Sequence, residues 1–318
     1  MTKEELQSQL ERLSKADTEA DIYDTLRVFM EFLFRTMQVH NPSIEPDAGK
    51  RHAMLVAQMM FTKIAHLEKH VGGVNYTADN GDQLNTIIDP TIISAQIRAI
   101  FETVGMFNVV NVLPATEDER LIVQNLWIIA GLKYRQKLAT GATSEENLEK
   151  AATEQKEIVR LTSEIEQTVL FKGLSQRDKD KIYNRISSKE YSIRFENNKV
   201  IFLEGFQDAV KLTGVKDKVM ANMYTYLSLN AHPSNVAVFQ FAEMFFAERP
   251  EYFELAKFNL DLGYMLLSIF VADYIKIFPE IKAVFESLDI VQQNLINFFN
   301  FIVRGEEYTI NNSLDSIG

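Results

Sequence analysis

The chain of 318 residues contains no cysteine. That excludes disulfides, a thiolate metal site and a cysteine nucleophile, and it fits a reducing compartment. Glycine and proline are scarce, at 13 and 7 residues, too few for the tight turns of a β-sandwich or an α/β sheet protein. The P-loop, G-x-G-x-x-G, H-E-x-x-H and G-x-S-x-G patterns are all missing. Their absence counts against the common nucleotide-binding, zinc-protease and hydrolase folds. The opening residues, MTKEELQSQL, lack the apolar core of a signal peptide, so a cytoplasmic location is expected. A net charge of −11 disfavours broad binding to phosphate backbones.

What the chain does have is apolar bulk. Hydrophobic residues make up 46%, with 22 Phe and 11 Met, enough for a sizeable core. Helical periodicity predominates, so the expected fold is all-α: a multi-helix bundle with one short β-hairpin near 191–203. There Tyr191, Ile193 and Phe195 alternate with polar residues and Asn197-Asn198 supplies a turn. The chain reads as a single helical domain over 1–318. Its N-terminal helices occupy 1–70 and its core 85–140 plus 205–304, with a charged helix and the hairpin inserted at 144–204. Residues 41–46 read as a break, 71–89 as a long loop with Gly-Gly and Asn-Gly signals, and the last ten residues as a loose tail.

Two stretches stand out. Between Lys218 and Glu243 there is no Asp, Glu, Lys or Arg. A helix so poor in charge offers water little polar face and is expected to be largely buried. Its length suffices for a bilayer, but Asn230, His232, Pro233, Ser234 and Asn235 would sit at mid-membrane, so no membrane crossing is expected. The second stretch, PTIISAQIRAIFETVGMFNVVNVLP, begins at Pro90 and carries only Arg98 and Glu102 as charges. They are four residues apart, on one helix face, in the weaker order for an intrahelical pair. A charged pair among apolar residues must be hydrogen-bonded, so further partners are expected from the uncharged stretch: Tyr224, Ser228, His232 and Ser234. The residue before a proline avoids helical geometry, which places His232 at a break between helices.

Weaker signals are present as well. Arg35 and His40 have the R-x4-H spacing of helical ribonucleases of the HEPN type, a spacing that also arises by chance. His52, His66 and His70 share one face of a helix, but a metal site would need further ligands. No metal and no cofactor is expected. Residues 144–171 carry charges of both signs, the pattern of a solvated face. The most basic segment, KGLSQRDKDKIYNRISSK, reads as a surface helix or as a contact patch for an acidic partner or RNA.

The helix IRAIFETVGMF and the downstream YTYLSLNAHPS, read as R-x-x-x-E and Y-x-x-L-S-x-x-x-H-x-S, together resemble a family of uncharacterised all-helical bacterial proteins. The resemblance covers roughly 85–250. It implies two signatures on different helices and carries no settled activity. By analogy the polar motif resembles the Arg/His arrangement of HEPN-type ribonucleases, although no arginine stands just before His232, so the cation would have to be Arg98.

Two readings follow. In the first, Arg98, Glu102 and His232 form a buried polar latch with Tyr224, Ser228 and Ser234 in support. The protein then acts by binding a protein partner, with the charged helix and hairpin exposed for recognition, and removing His232 is expected to cost much stability. In the second, the chain is a metal-independent, HEPN-like ribonuclease. His232 is its general acid or base, Arg98 stabilises phosphate charge, and Glu102 orients one of them. That chemistry needs an opening to solvent, against which the apolar flanks argue. A small-molecule or metal binder is a third reading, and self-association into a homo-oligomer is left open.

Overall fold

Several helices in this chain begin where a side chain satisfies free backbone N–H groups. The computed structural model describes residues 1–40, 48–139, 141, 144–246 and 250–318. The break expected at 41–46 lies outside the described residues. Thr2 caps α1 (Lys3–Lys15) in a reciprocal box with Glu5. Thr18 precedes α2 (Glu19–His40), its hydroxyl accepting from the Asp21 N–H at 3.2 Å.

After α3 (Ala48–Val71) comes Gly73, whose φ of +69° turns the chain where any Cβ would strike the Ile87 carbonyl. The segment read as a long loop is a hairpin instead, with β1 (Val74–Thr77) antiparallel to β2 (Gln83–Ile87). Asp89 then caps α4 (Pro90–Phe107), which runs into a π-helical turn at Asn108–Val112. Thr116 accepts from the Glu119 N–H at 3.2 Å and opens α5 (Glu117–Ala139). Ser144 caps the charged α6 (Glu145–Gln167).

Short helices α7 (Val169–Gly173) and α8 (Gln176–Ser188) lead to the expected hairpin, β3 (Ile193–Glu196) with β4 (Lys199–Phe202). Its turn places Asn197 and Asn198 at φ +50° and +58°, the left-handed pair of a type I′ turn. There follow α9 (Phe206–Lys211), α10 (Met223–Ala231), α11 (Asn235–Phe246) and α12 (Pro250–Ile277), then α13 (Lys282–Glu286) and α14 (Ile290–Val303). The described chain is all-α with two two-stranded antiparallel hairpins.

The chain divides into two compact units, 1–105 with 210–318, and 106–209. The sequence groups 85–140 with 205–304, yet in the structure α5 falls with the charged helix. The reason is visible along the α5–α6 seam. Asn125 donates to the Leu161 carbonyl at 3.3 Å, Gln136 donates to the Ala151 carbonyl at 2.8 Å, and Arg135 pairs with Glu154.

In the first unit α12 packs against α2 and α14, and its segment Phe253–Ile277 is long and apolar enough to cross a membrane, with 67% of that window buried. Arg304 and Asp273 form a buried ion pair there at 2.8 Å. The C-terminal residues are not a loose tail. Asn297 donates to Asn311 Oδ1 at 2.9 Å and to Ser313 at 2.8 Å, and accepts from the Ile310 N–H at 2.8 Å.

The second unit has its own polar anchor. Asp178 in the first turn of α8 accepts from Lys181 at 2.8 Å, from Ser175 at 2.6 Å and from the β4 Val200 N–H at 3.2 Å, tying hairpin to helix. Lys181 first, then Ser175 and the Val200 N–H, hold its carboxyl down at about 2. The folded value lies below the unfolded one, so this contribution is full above about pH 4 and is lost as pH falls through the folded value. Asp178→Asn should therefore lower stability near neutrality and flatten the acid limb of urea midpoints below about pH 4.

Candidate functional site

The Asp89 side chain fixes the start of α4, accepting from the N–H groups of Thr91 and Ile92 at 2.8 and 3.3 Å. Ile93, Ile97, Ile100, Phe101 and Val104 form the buried face of α4. Arg98 and Glu102 lie beside that face, one helical turn apart.

The other half of the site is the end of α10. Pro233 keeps its neighbour out of helical geometry, and His232 is extended at φ −102° and ψ 153°. Ser228 and Ser234 serve the backbone rather than the polar centre. Ser228 donates to the Tyr224 carbonyl at 2.7 Å, while Ser234 donates to the Leu229 carbonyl at 2.8 Å and accepts from the Ala237 N–H at 3.1 Å. They shape the break that delivers His232.

The two halves meet. Arg98 Nε donates to Glu102 Oε1 at 3.0 Å, Nη1 donates to His232 Nε2 at 2.6 Å, and Nη2 donates to the Tyr224 hydroxyl at 2.9 Å. Tyr224 returns a hydrogen bond to Glu102 Oε1 at 3.0 Å, closing a ring. A guanidinium has donors only, so His232 Nε2 must accept and the proton of the neutral ring sits on Nδ1. Burial pushes the Tyr224 hydroxyl above the ordinary phenol range; the Arg98 hydrogen bond opposes this and Glu102 adds to it. Burial also works against the Arg98 charge, but Tyr224 and Glu102 outweigh it and hold the guanidinium above its ordinary value.

Lys63 on α3 was not legible as part of this neighbourhood. Burial lowers its ammonium, and the Glu102 carboxylate counters part of that fall. Nothing in the spacing of α3 residues points from Lys63 to α4.

The expected burial is not observed. The Arg98 and Glu102 side chains are 23% and 32% exposed, and His232 is exposed. The uncharged stretch folds as two short helices with a wet outer face, where Val236, Val238 and Phe239 are 52%, 51% and 66% exposed. An opening to solvent also exists. His232, Asn230 and Asp89 line a pocket of about 340 Å³ with Pro233, Val238 and Phe241.

Arg35 and His40 make separate contacts. Arg35 pairs with Glu31 at 2.7 Å and donates to the Ser287 carbonyl at 3.1 Å, whereas His40 packs on the rings of Tyr274 and Phe278. His70 Nδ1 lies 2.8 Å from the His66 carbonyl and 2.9 Å from Gln96. Among the described residues no three His, Asp or Glu side chains are grouped to hold a metal ion.

Compared with protein families, with curated proteins and with solved structures, the chain matches none.

Because the network is only partly buried, single deletions should be modest. Tyr224→Phe, which breaks two of its bonds, should cost about 1–2 kcal/mol in urea unfolding. His232→Ala, at the exposed end, should cost less than about 1 kcal/mol. A larger loss for His232→Ala would reinstate the buried latch.

Proposed function

We propose that this chain is a non-catalytic interaction protein, in which the Arg98–Glu102–Tyr224–His232 network holds α10 and α11 on α4 and presents their outer face to a protein partner. The observation that carries this reading is that Arg98 spends its Nε, Nη1 and Nη2 atoms on internal partners. A guanidinium so engaged positions helices. It has little left with which to grip a substrate. The helix pair it positions displays Leu229, Val236, Val238 and Phe239, an apolar grouping of the kind that marks contact surfaces. The charged α6 offers less to a partner, since Arg160 is occupied by Glu157 and Glu164 on its own helix.

The HEPN-like ribonuclease is the second reading, in keeping with the analogy drawn from the motif. It is favoured by the exposure of His232 and by the pocket beside it. In it His232 Nδ1 would exchange the proton, since Nε2 is taken by Arg98. Arg98 would have to leave Tyr224 or His232 to meet a phosphate.

Two measurements separate these readings. Incubated with RNA at high protein concentration, with and without EDTA, the wild type should leave the RNA intact; cleavage lost in His232→Ala would establish the second reading. A partner cross-linked to the wild type should be lost in Phe239→Asp and weakened in Arg98→Ala, with helical content unchanged in both. Retention in Phe239→Asp would exclude α11 as the contact face.

A further inference from the structure

A second pocket, sharing no residue with the one beside His232, lies between α1, α12, α14 and the C-terminal residues. Its volume is about 500 Å³, within the ~300–1,000 Å³ typical of small-molecule sites. The walls are apolar: Leu10, Met265, Phe298, Phe299, Ile302 and Ile317. Polar side chains interrupt them: Gln7, Ser14, Lys15 and two carboxylates, Glu11 and Asp261. Asp261 lines the pocket with its side chain 30% exposed.

The Asp261 carboxylate is only half satisfied. Oδ2 meets Lys257 Nζ at 3.3 Å, while Oδ1 is shut off from solvent and meets no donor. A buried acceptor without a donor is unfavourable, and a donor arriving from the pocket would remove the deficit. The torsion that carries a carboxylate is broad, so a small rotation offers the unpaired oxygen to a newcomer. The surrounding charge selects the sign of that donor. Glu11 and Lys15 on the pocket wall neutralise each other at 2.6 Å, and Lys257 is shared between Asp261 and Asp17, at 3.3 and 3.8 Å. The excess is negative. Burial, first of all, holds the Asp261 carboxyl above its ordinary value, as expected for a carboxylate short of donors.

We propose that this pocket binds a small primary amine with an apolar body, its ammonium on the Asp261 carboxylate and its hydrocarbon against Met265, Phe298 and Ile302. The apolar walls favour a cation that carries hydrocarbon over a bare metal ion, and the carboxylate disfavours an acid of similar length.

Hexylamine, hexanol and hexanoate are six-carbon probes of this site that differ in the charge of the head group. In titrations of the full chain, followed by the ¹³C-methyl resonance of Met265 and by melting temperature, hexylamine should give a saturable shift of the Met265 signal and raise the melting temperature. Hexanol should bind at least tenfold more weakly and hexanoate not at all. Asp261→Asn should bring hexylamine down to the affinity of hexanol. Met265→Trp, which fills the pocket and leaves the carboxylate in place, should abolish the melting-temperature response to hexylamine and to hexanol. Equal affinity for the three probes, no saturable shift at Met265, or undiminished hexylamine binding in Met265→Trp would each overturn the assignment. If Asp261→Asn fails to fold, the ranking of probes and Met265→Trp decide it alone.

Discussion

The guanidinium of Arg98 sets the terms for the rest of the site. A planar cation on the flank of an apolar helix must find acceptors in fixed directions, and Glu102 one turn later takes only one of them. The other two acceptors come from a part of the chain more than a hundred residues on, the Tyr224 hydroxyl and the His232 ring. Proline after His232 makes this affordable, because it ends α10 where the ring has to be. Each bond is worth about 1 kcal/mol and the ion pair, being partly wet, between about 0 and 1. The network therefore contributes direction more than stability. Stability of the unit rests on α12 among α2 and α14, where Tyr264, Tyr274, Phe29 and Phe270 are buried.

The same device recurs elsewhere at different depths. Asp178 gathers Lys181, Ser175 and a strand N–H to hold a hairpin too small to stand alone. Arg304 and Asp273 form a buried pair in the interior, with the guanidinium 4.0 Å from the centre of the Tyr308 ring. In each case one charged side chain joins elements distant in sequence, and its partners decide whether charge is left for chemistry. At Arg98 little is left. At Asp261 one oxygen has no partner, and the binding role proposed for it rests on that.

Much of this was legible before any coordinates. Scarce glycine and proline gave the helical class, and the alternation at Tyr191, Ile193 and Phe195 with two asparagines gave the hairpin at 193–202. Two charges in an apolar run, and one histidine before a proline in another, were enough to pair Arg98 with His232. The first hairpin is hard to read because the alternation of Val74 and Tyr76 spans only four residues, too few to stand out against the Gly-Gly and Asn-Gly loop signals on either side. Burial of 219–242 is less than the lack of charge implies, because an apolar helix face can stand exposed, as Val236, Val238 and Phe239 do. Lys63 and Asp261 could not be found at all, since each matters through neighbours that only the fold supplies.

Arg98 as the donor that seats the α10 break on α4 can be checked at one ring. The ¹⁵N chemical shifts of His232, assigned by comparison with His232→Ala, report which nitrogen of the neutral imidazole carries the proton. The network requires a protonated Nδ1 and a bare Nε2 that reverts to a solvent-averaged mixture of tautomers in Arg98→Ala. A ring protonated at Nε2 in the wild type, or one unaffected by the loss of Arg98, would contradict the bridge between the two helices.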